Sequence, residues 1–400
     1  MKILVANLGT TSFKYRLYDL GDGGAETLLA RGAIERIGSD NAKAVHKSAR
    51  GEFEMTEPIA DHGVALKICL DQLTDPKVGV IDRDSDVSAI GFKAVHAKGV
   101  TGVQLVDEDV LEAMEDFADV CPAHNPPYIK AMRTLSERFP SLPLVAAFET
   151  GFHRTIPEAN QRYAIPEHWA TVYGIRRWGF HGASHRYIAG RMAEILKRDD
   201  LKIISCHLGG SSSLCAIKDG KSQACSLGMS PQSGLPHNNR VGDFDVFALP
   251  TLLRESGQSL DEILSTLANN SGLEGLSGAG RDLRDIEFEA NAGNPQATLA
   301  LQVFVASARH YLGAYLVELN GADAIVFTGG IGENSVRMRL DVCRNLDWFG
   351  IKLDTEKNAH ASGEALVSAE GSRVQVWTVP TNEEIVVARQ ARDLLNGKTS

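Results

Sequence analysis

A short apolar run, a turn rich in glycine and hydroxyl residues, and a second run of alternating polarity open the chain, and the arrangement recurs two hundred residues on. Ile3 to Ala6 reads as a strand, Leu8-Gly9-Thr10-Thr11 as a turn, and Phe13 to Tyr18 as the returning strand of a hairpin. In the second copy, Ile203 to His207 leads into Leu208-Gly209-Gly210-Ser211-Ser212-Ser213, which sets Leu208 on Leu8, Gly209 on Gly9 and Ser212 on Ser12. A repeat of this kind predicts two related halves, each presenting a polar hairpin tip; chance likeness of two hairpins is the alternative.

Strands and helices alternate in the rest of the chain. Val110, Leu111, Met114 and Phe117 follow Asp107 at helical spacing, and Tyr128, Met132, Leu135 and Phe139 repeat the pattern after Pro126-Pro127. Leu142 to Phe148 reads as a buried strand ending at Glu149. Asn294-Pro295 to Gly321 reads as a long helix with apolar residues nearly all round, hence buried. Asp323 to Phe327 and Val374 to Val379 are further strands, running into Thr328 to Asn334 and into Pro380 to Glu384. The fold class is α/β.

With 400 residues, 43% of them apolar, the chain can bury two cores, and a net charge of -10 argues against nucleic-acid or anionic-membrane partners. Six scattered cysteines form no CxxC pair, so neither a zinc site nor a disulfide framework is expected. The first apolar run is too short for a signal peptide and no stretch is long enough to span a membrane, so a soluble cytoplasmic protein is expected.

An acidic chain that handles an anion must gather its cations locally. Arg176 to Arg186 packs His181 and His185 with three arginines among glycines, which suits a place where negative charge accumulates. Arg240 is a second candidate, with a surface salt bridge as its other reading; Lys14, after the first tip, is a phosphate contact or a solvated surface residue. The glycines of Thr328 to Asn334 suit either a plain tight turn or a backbone cradle for phosphate, and the hydroxyls of Thr10, Ser12, Ser211 and Ser212 favour the cradle. Glu149 and Glu383 stand at strand ends, where oxygen ligands for magnesium are commonly found. Thr381 and Glu384 have capping-box spacing, which would turn Glu384 to the backbone and leave Glu383 available.

These segments resemble the acetate kinase family over essentially the whole chain and in the same order: Asn7, Gly9, Thr10, Ser12 and Lys14; Gly32 to Gly38; Pro122 to Pro126; Phe148 to His153; Gly179 to Gly182; His207 to Gly209; Thr328 to Asn334; and Pro380 to Glu384. The resemblance implies an actin-like and sugar-kinase-like α/β fold of two ribonuclease-H-like domains about a central nucleotide cleft. The first would span 1–150, closed by a C-terminal helix over 383–396, and the second 151–382. It implies a homodimer that uses ATP/ADP with Mg2+ (or Mn2+) to phosphorylate a small carboxylate, acetate by default, by direct in-line transfer. Carried over by position, Asn7 and Glu383 resemble metal-site residues. Thr10, Ser12, Lys14 and His207-Leu208-Gly209-Gly210-Ser211 resemble phosphate-site residues. Asp282-Leu283-Arg284 and Gly330-Ile331-Gly332-Glu333-Asn334 resemble adenosine contacts. Glu149, His181 and Arg240 stand at catalytic positions, and Lys93, Val95, Ala123, His124 and Phe180 at acid-binding ones.

The chain departs from the family pattern at Lys93 (arginine in the family), Glu149 (aspartate), Gly210 (asparagine), His237-Asn238-Asn239 (Met-Gly-Thr) and Ala123 (leucine). Lysine keeps the charge but loses the planar fork that grips a carboxylate, and Ala123 opens room for a longer acyl chain. The alternatives are therefore a kinase for propionate, butyrate or a larger acid, a hydroxyl kinase with Glu149 as base, and a non-catalytic nucleotide-binding regulator.

Overall fold

In the computed structural model, which describes residues 1–21 and 24–398, pairing starts at the first hairpin. β1 (Lys2–Gly9) and β2 (Ser12–Leu20) run antiparallel, with Gly9 opposite Ser12 as the last pair. A Cβ on Gly9 would lie 2.5 Å from Ser12 Oγ, so the glycine lets the serine hydroxyl lie against the tip. Alternation along β2 buries Phe13, Tyr15 and Leu17 on one face and leaves Lys14 and Arg16 on the other.

The chain divides into two compact units, Met1–Gly151 with Asn382–Ser400, and Phe152–Thr381. In the first, β3 (Glu26–Glu35), β4 (Ala42–Ser48) and β5 (Gly51–Glu57) extend the antiparallel meander. On the other side of β1, β6 (Val87–Ala94) and then β8 (Leu144–Phe148) add in parallel, with β7 (Val103–Leu105) antiparallel at the edge, giving the order β5-β4-β3-β2-β1-β6-β8-β7. Helices His62–Thr74 and Asn125–Arg138 bury Leu66, Leu70, Met132 and Leu135 against Leu4, Phe13 and Phe92. Helix Glu383–Leu395 packs on β1, β2 and β6. A Cβ on Gly91 would lie 2.9 Å from Val387, so the glycine permits that approach.

The second unit repeats the plan. β9 (Lys202–His207), β10 (Ser213–Lys218) and β11 (Lys221–Cys225) form an antiparallel meander, and β12 (Ala324–Thr328) and β14 (Gln375–Thr378) add in parallel beside β9, with β13 (Ala365–Leu366) antiparallel at the edge. The order is β11-β10-β9-β12-β14-β13. A three-strand meander whose first strand gains two parallel neighbours is common to both units, so each is a ribonuclease-H-like α/β layer and the repeated hairpin is its opening element. The alignment of the two tips ends at the glycines: Ser12 already belongs to β2, whereas Ser212 lies in the longer turn before β10.

Three local expectations need correction. Helix Pro295–Glu318, capped by Asn294, is not buried all round. It buries a stripe through Ala297, Ala300, Leu301, Phe304, Ala308, Leu312 and Tyr315, while Leu299 and Val317 are exposed. The glycine segment after β12 is not a loop but a short helix, Gly329–Asn334, entered through Gly329 at φ +77. The N-cap of helix Glu383–Leu395 is Asn382, whose side chain accepts from the Ile385 N–H, so Thr381 and Glu384 form no capping box.

Candidate active site

In the first unit, polar residues gather where β1, β6 and β8 end and helix Glu383–Leu395 begins. Lys93 on β6 donates to Glu383, and the buried Glu149, in the turn after β8, adds its charge. Burial works to lower the Lys93 pKa, but the charges of Glu383 and Glu149 outweigh it and hold the ammonium above the ordinary lysine range. Freed from capping, Glu384 accepts from Asn7 Nδ2 at 3.3 Å and pairs with Arg16 at 3.2 Å. A carboxylate beside Asn7 is thus Glu384. Asn7 Oδ1 is buried with no hydrogen-bond partner among the described residues. Such an orphaned hard oxygen next to carboxylates fits a divalent cation that retains most of its own waters; no group of three His, Cys, Asp or Glu forms a ready-made metal cage among the described residues.

Tyr128 accepts from the Leu8 N–H at 3.3 Å, His62 Nε2 donates to Gly9 O at 2.9 Å, and Lys14 lies opposite Asn7 across the hairpin, exposed like Thr10. Asn125 is buried and donates to His96 O and Met114 O, fixing the helix start next to His124. Val95 and His124 are half-buried, and Ala123 is exposed. Phe180 belongs to the second unit, buried, with its carbonyl accepting from His153 Nε2.

In the second unit the tip after β9 is held from several sides. Ser212 Oγ donates to Gly209 O at 3.1 Å, the Ser212 N–H donates to His237 Nδ1 at 2.9 Å, and Arg240 reaches Ser211 Oγ at 3.3 Å and Pro231 O at 3.2 Å. Burial, and then the charge of Arg240, push His237 down to about 3, so it stands neutral and donates from Nε2 to Ser233 O. Helix Gly329–Asn334 lies against the same tip: Leu208 O accepts from the N–H groups of Ile331 and Gly332 at 2.8 and 3.0 Å, and Glu333 accepts from the Gly329 N–H. Arg339, fully buried, donates to Gly332 O, Glu333 O and both oxygens of Asn358, tying down the end of that helix. His181 sits at the start of helix Gly182–Leu196 in a left-handed conformation, φ 55, and its ring stacks on His207 with centroids 4.3 Å apart. Asp282 caps helix Leu283–Asn291 and chelates Arg284, which holds its carboxyl down to about 2; Leu283 is buried in the core.

The structure therefore brings together Asn7, Lys93, Glu149 and Glu383 in the first unit, and His207 to Ser211, Arg240 and Gly330 to Gly332 in the second. His62 and Arg339 escaped the sequence reading, and His237 stands in it only as a departure from the family pattern. Isolated basic residues carry no local pattern that betrays a buried hydrogen-bonding role.

Residues 2–389 match the Acetokinase family. An acetate kinase of Clostridium botulinum is 42% identical over 398 residues, covering 98% of this chain and 99% of its own. The chain belongs to the acetokinase family. Solved structures agree: an acetate kinase of Porphyromonas gingivalis is 34% identical with TM-score 0.88, covering 98% of this chain and 99% of its own. A propionate kinase of Francisella tularensis is 31% identical with TM-score 0.88, covering 97% and 98%.

Within the acetokinase family pattern, two departures turn out to be neighbours. A Cβ on Gly210 would lie 3.3 Å from Asn238 Nδ2, and the Asn238 N–H donates to Gly210 O at 3.1 Å. Asn238 thus places an amide against the position where the family carries asparagine in the tip itself. Lys93, the replacement for arginine, is committed to Glu383.

Proposed function

We propose that this acetokinase transfers the γ-phosphoryl group of ATP to a short-chain carboxylate, acetate by default, giving an acyl phosphate and ADP in a reversible in-line displacement. Membership of the family over residues 2–389 carries this reading. A carboxylate is already a nucleophile, so phosphoryl transfer asks the protein for alignment and charge neutralisation and not for a base. We assign the nucleotide phosphates to His207 to Ser211 with Thr10, Ser12 and Lys14, and adenosine to the segments 282–284 and 330–334. His181 and Arg240 neutralise the moving phosphoryl. Lys93, His124, Val95, Ala123 and Phe180 receive the acid, with Glu149 adding field at the strand end. Lys93, shared with Glu383, grips an acid less firmly than an arginine fork.

Asn7, with Glu383 and Glu384, would hold a magnesium ion, which when bound neutralises phosphate charge. The two units act as a nucleotide-handling second domain and a first domain that includes the C-terminal helix. The resemblance implies that the active form is a homodimer in the cytoplasm, and two-fold dimers are the commonest closed assembly of soluble chains; no described helix is long and apolar enough to cross a membrane. The exposed Ala123 supports a second reading, a preference for propionate or butyrate. An ATP-dependent acyl hydroxamate assay across acetate, propionate, butyrate and branched acids, with Ala123→Leu alongside, decides between them. Acetate turning over best in both proteins supports the first reading, and longer acids preferred only by the unsubstituted protein supports the second. No turnover with any acid sinks both.

A further inference from the structure

In the second unit, buried hydroxyls and imidazoles form a chain whose proton directions can be counted. Ser205 Oγ lies 2.9 Å from His185 Nδ1, His185 Nε2 lies 2.8 Å from Ser213 Oγ, and Ser213 Oγ lies 2.8 Å from His181 Nδ1. Ser205, His185 and Ser213 are fully buried. Burial pushes His185 well below the usual imidazole range, and a charge on either neighbouring ring, His153 or His207, would push it further, so it is neutral. A neutral imidazole donates from one nitrogen and accepts at the other, so the chain can run only two ways.

In one direction Ser205 donates to His185 Nδ1, His185 Nε2 donates to Ser213, and Ser213 donates to His181 Nδ1. Every proton then has an acceptor. In the other direction each bond reverses, and the Ser205 hydroxyl must donate elsewhere, yet His185 is its sole side-chain hydrogen-bond partner among the described residues. A buried hydroxyl without an acceptor disfavours that direction by roughly 5- to 100-fold. The terminal serine thus sets the state of a ring three bonds away. His207 follows the same rule: Ser184 is fully buried, and its one side-chain bond among the described residues is to His207 Nδ1 at 2.8 Å, so its proton points there.

We propose that Ser205, Ser213 and Ser184, acting with His185, lock His181 and His207 as neutral rings whose only proton sits on Nε2, so that the stacked pair forms a two-donor element for the oxygens of an anionic phosphoryl group. Protonating His181 would require Nδ1 to donate and the whole chain to reverse, so the lock opposes an imidazolium and leaves Arg240 as the cation. The serines and His185 are positioning residues. The ligand rests on the phosphotransfer reading above; the tautomers do not.

The test is long-range 1H–15N NMR of the histidine side chains of the full chain at neutral pH. Both rings should be Nε2–H tautomers; a proton on Nδ1 of either ring, alone or as imidazolium, overturns the proposal. Ser213→Ala should shift the His181 pattern and lower kcat about tenfold with KM values within about twofold, because an N–H aimed at the moving group acts in the transition state. Ser222→Ala removes the bond to His153, outside the chain; it should leave kcat unchanged. A Ser213→Ala protein with unaltered His181 signals and kcat contradicts the lock. If the unsubstituted protein forms no acyl phosphate, the kinase reading fails while the NMR result still decides the tautomers.

Discussion

Acidification should unfold the second unit through its buried neutral histidines, and His237 allows the effect to be sized. The ring is fully buried and held down to about 3 by burial and Arg240, whereas an unfolded histidine titrates near 6.5. Below that higher value the unfolded chain binds a proton that the folded one refuses, so stability rises with pH between the two pKa values and is lost as pH falls. At about 1.4 kcal/mol per unit of pH once the unfolded group is charged, a drop from pH 7 to pH 5 costs about 2 kcal/mol from His237 alone. His153, pushed down to about 4 by burial, adds a similar slope. Trp169, Trp178, Trp348 and Trp377 all lie in the second unit, so tryptophan fluorescence during urea unfolding reports on it alone. His237→Gln, which keeps a donor and an acceptor, should lose about 2 kcal/mol less than the unsubstituted protein over that interval. Parallel losses in the two proteins would refute the buried neutral ring.

Other perturbations probe the remaining contacts. Lys93→Met and Glu383→Gln should each cost about 2 kcal/mol by chemical denaturation, with a coupling of about 1–3 kcal/mol in the double variant, because the pair lies between the exposed and fully buried regimes; strict additivity would deny the pairing. Arg339→Met removes the bonds to Gly332 O, Glu333 O and Asn358. It should cost about 3–5 kcal/mol and weaken ATP binding by calorimetry. Gly210→Ala should raise the KM for ATP about fivefold by displacing Asn238, and Asn238→Ala in the same chain should restore it; an unrelieved double variant would contradict the contact.

The hairpins, the α/β alternation and the start of helix Asn125–Arg138 were legible because each rests on local alternation, glycine or proline, whereas the strand order rests on pairings distant in sequence. The one-sided burial of helix Pro295–Glu318 was not: alanines fill its buried stripe, while Leu299 and Val317 place large apolar groups in solvent. Glu384 misled because capping spacing is local, whereas its partners Asn7 and Arg16 lie far off in sequence. Likewise Gly210 and Asn238 read as two separate departures until the fold set them in contact. The serines placed against His181, His185 and His207 carry no signal at all, since a buried serine on a strand or helix is chemically silent until its partner is known.

The central claim is that a carboxylate oxygen attacks the γ-phosphorus of ATP, and following that oxygen tests it most directly. With an 18O-labelled carboxylate, purified protein and ATP, the acyl phosphate trapped and read by 31P NMR should carry one 18O in the bridge to phosphorus from its first appearance. Acyl phosphate without bridging 18O, or ATP consumed with no acyl phosphate formed from any acid, would contradict direct transfer to a carboxylate.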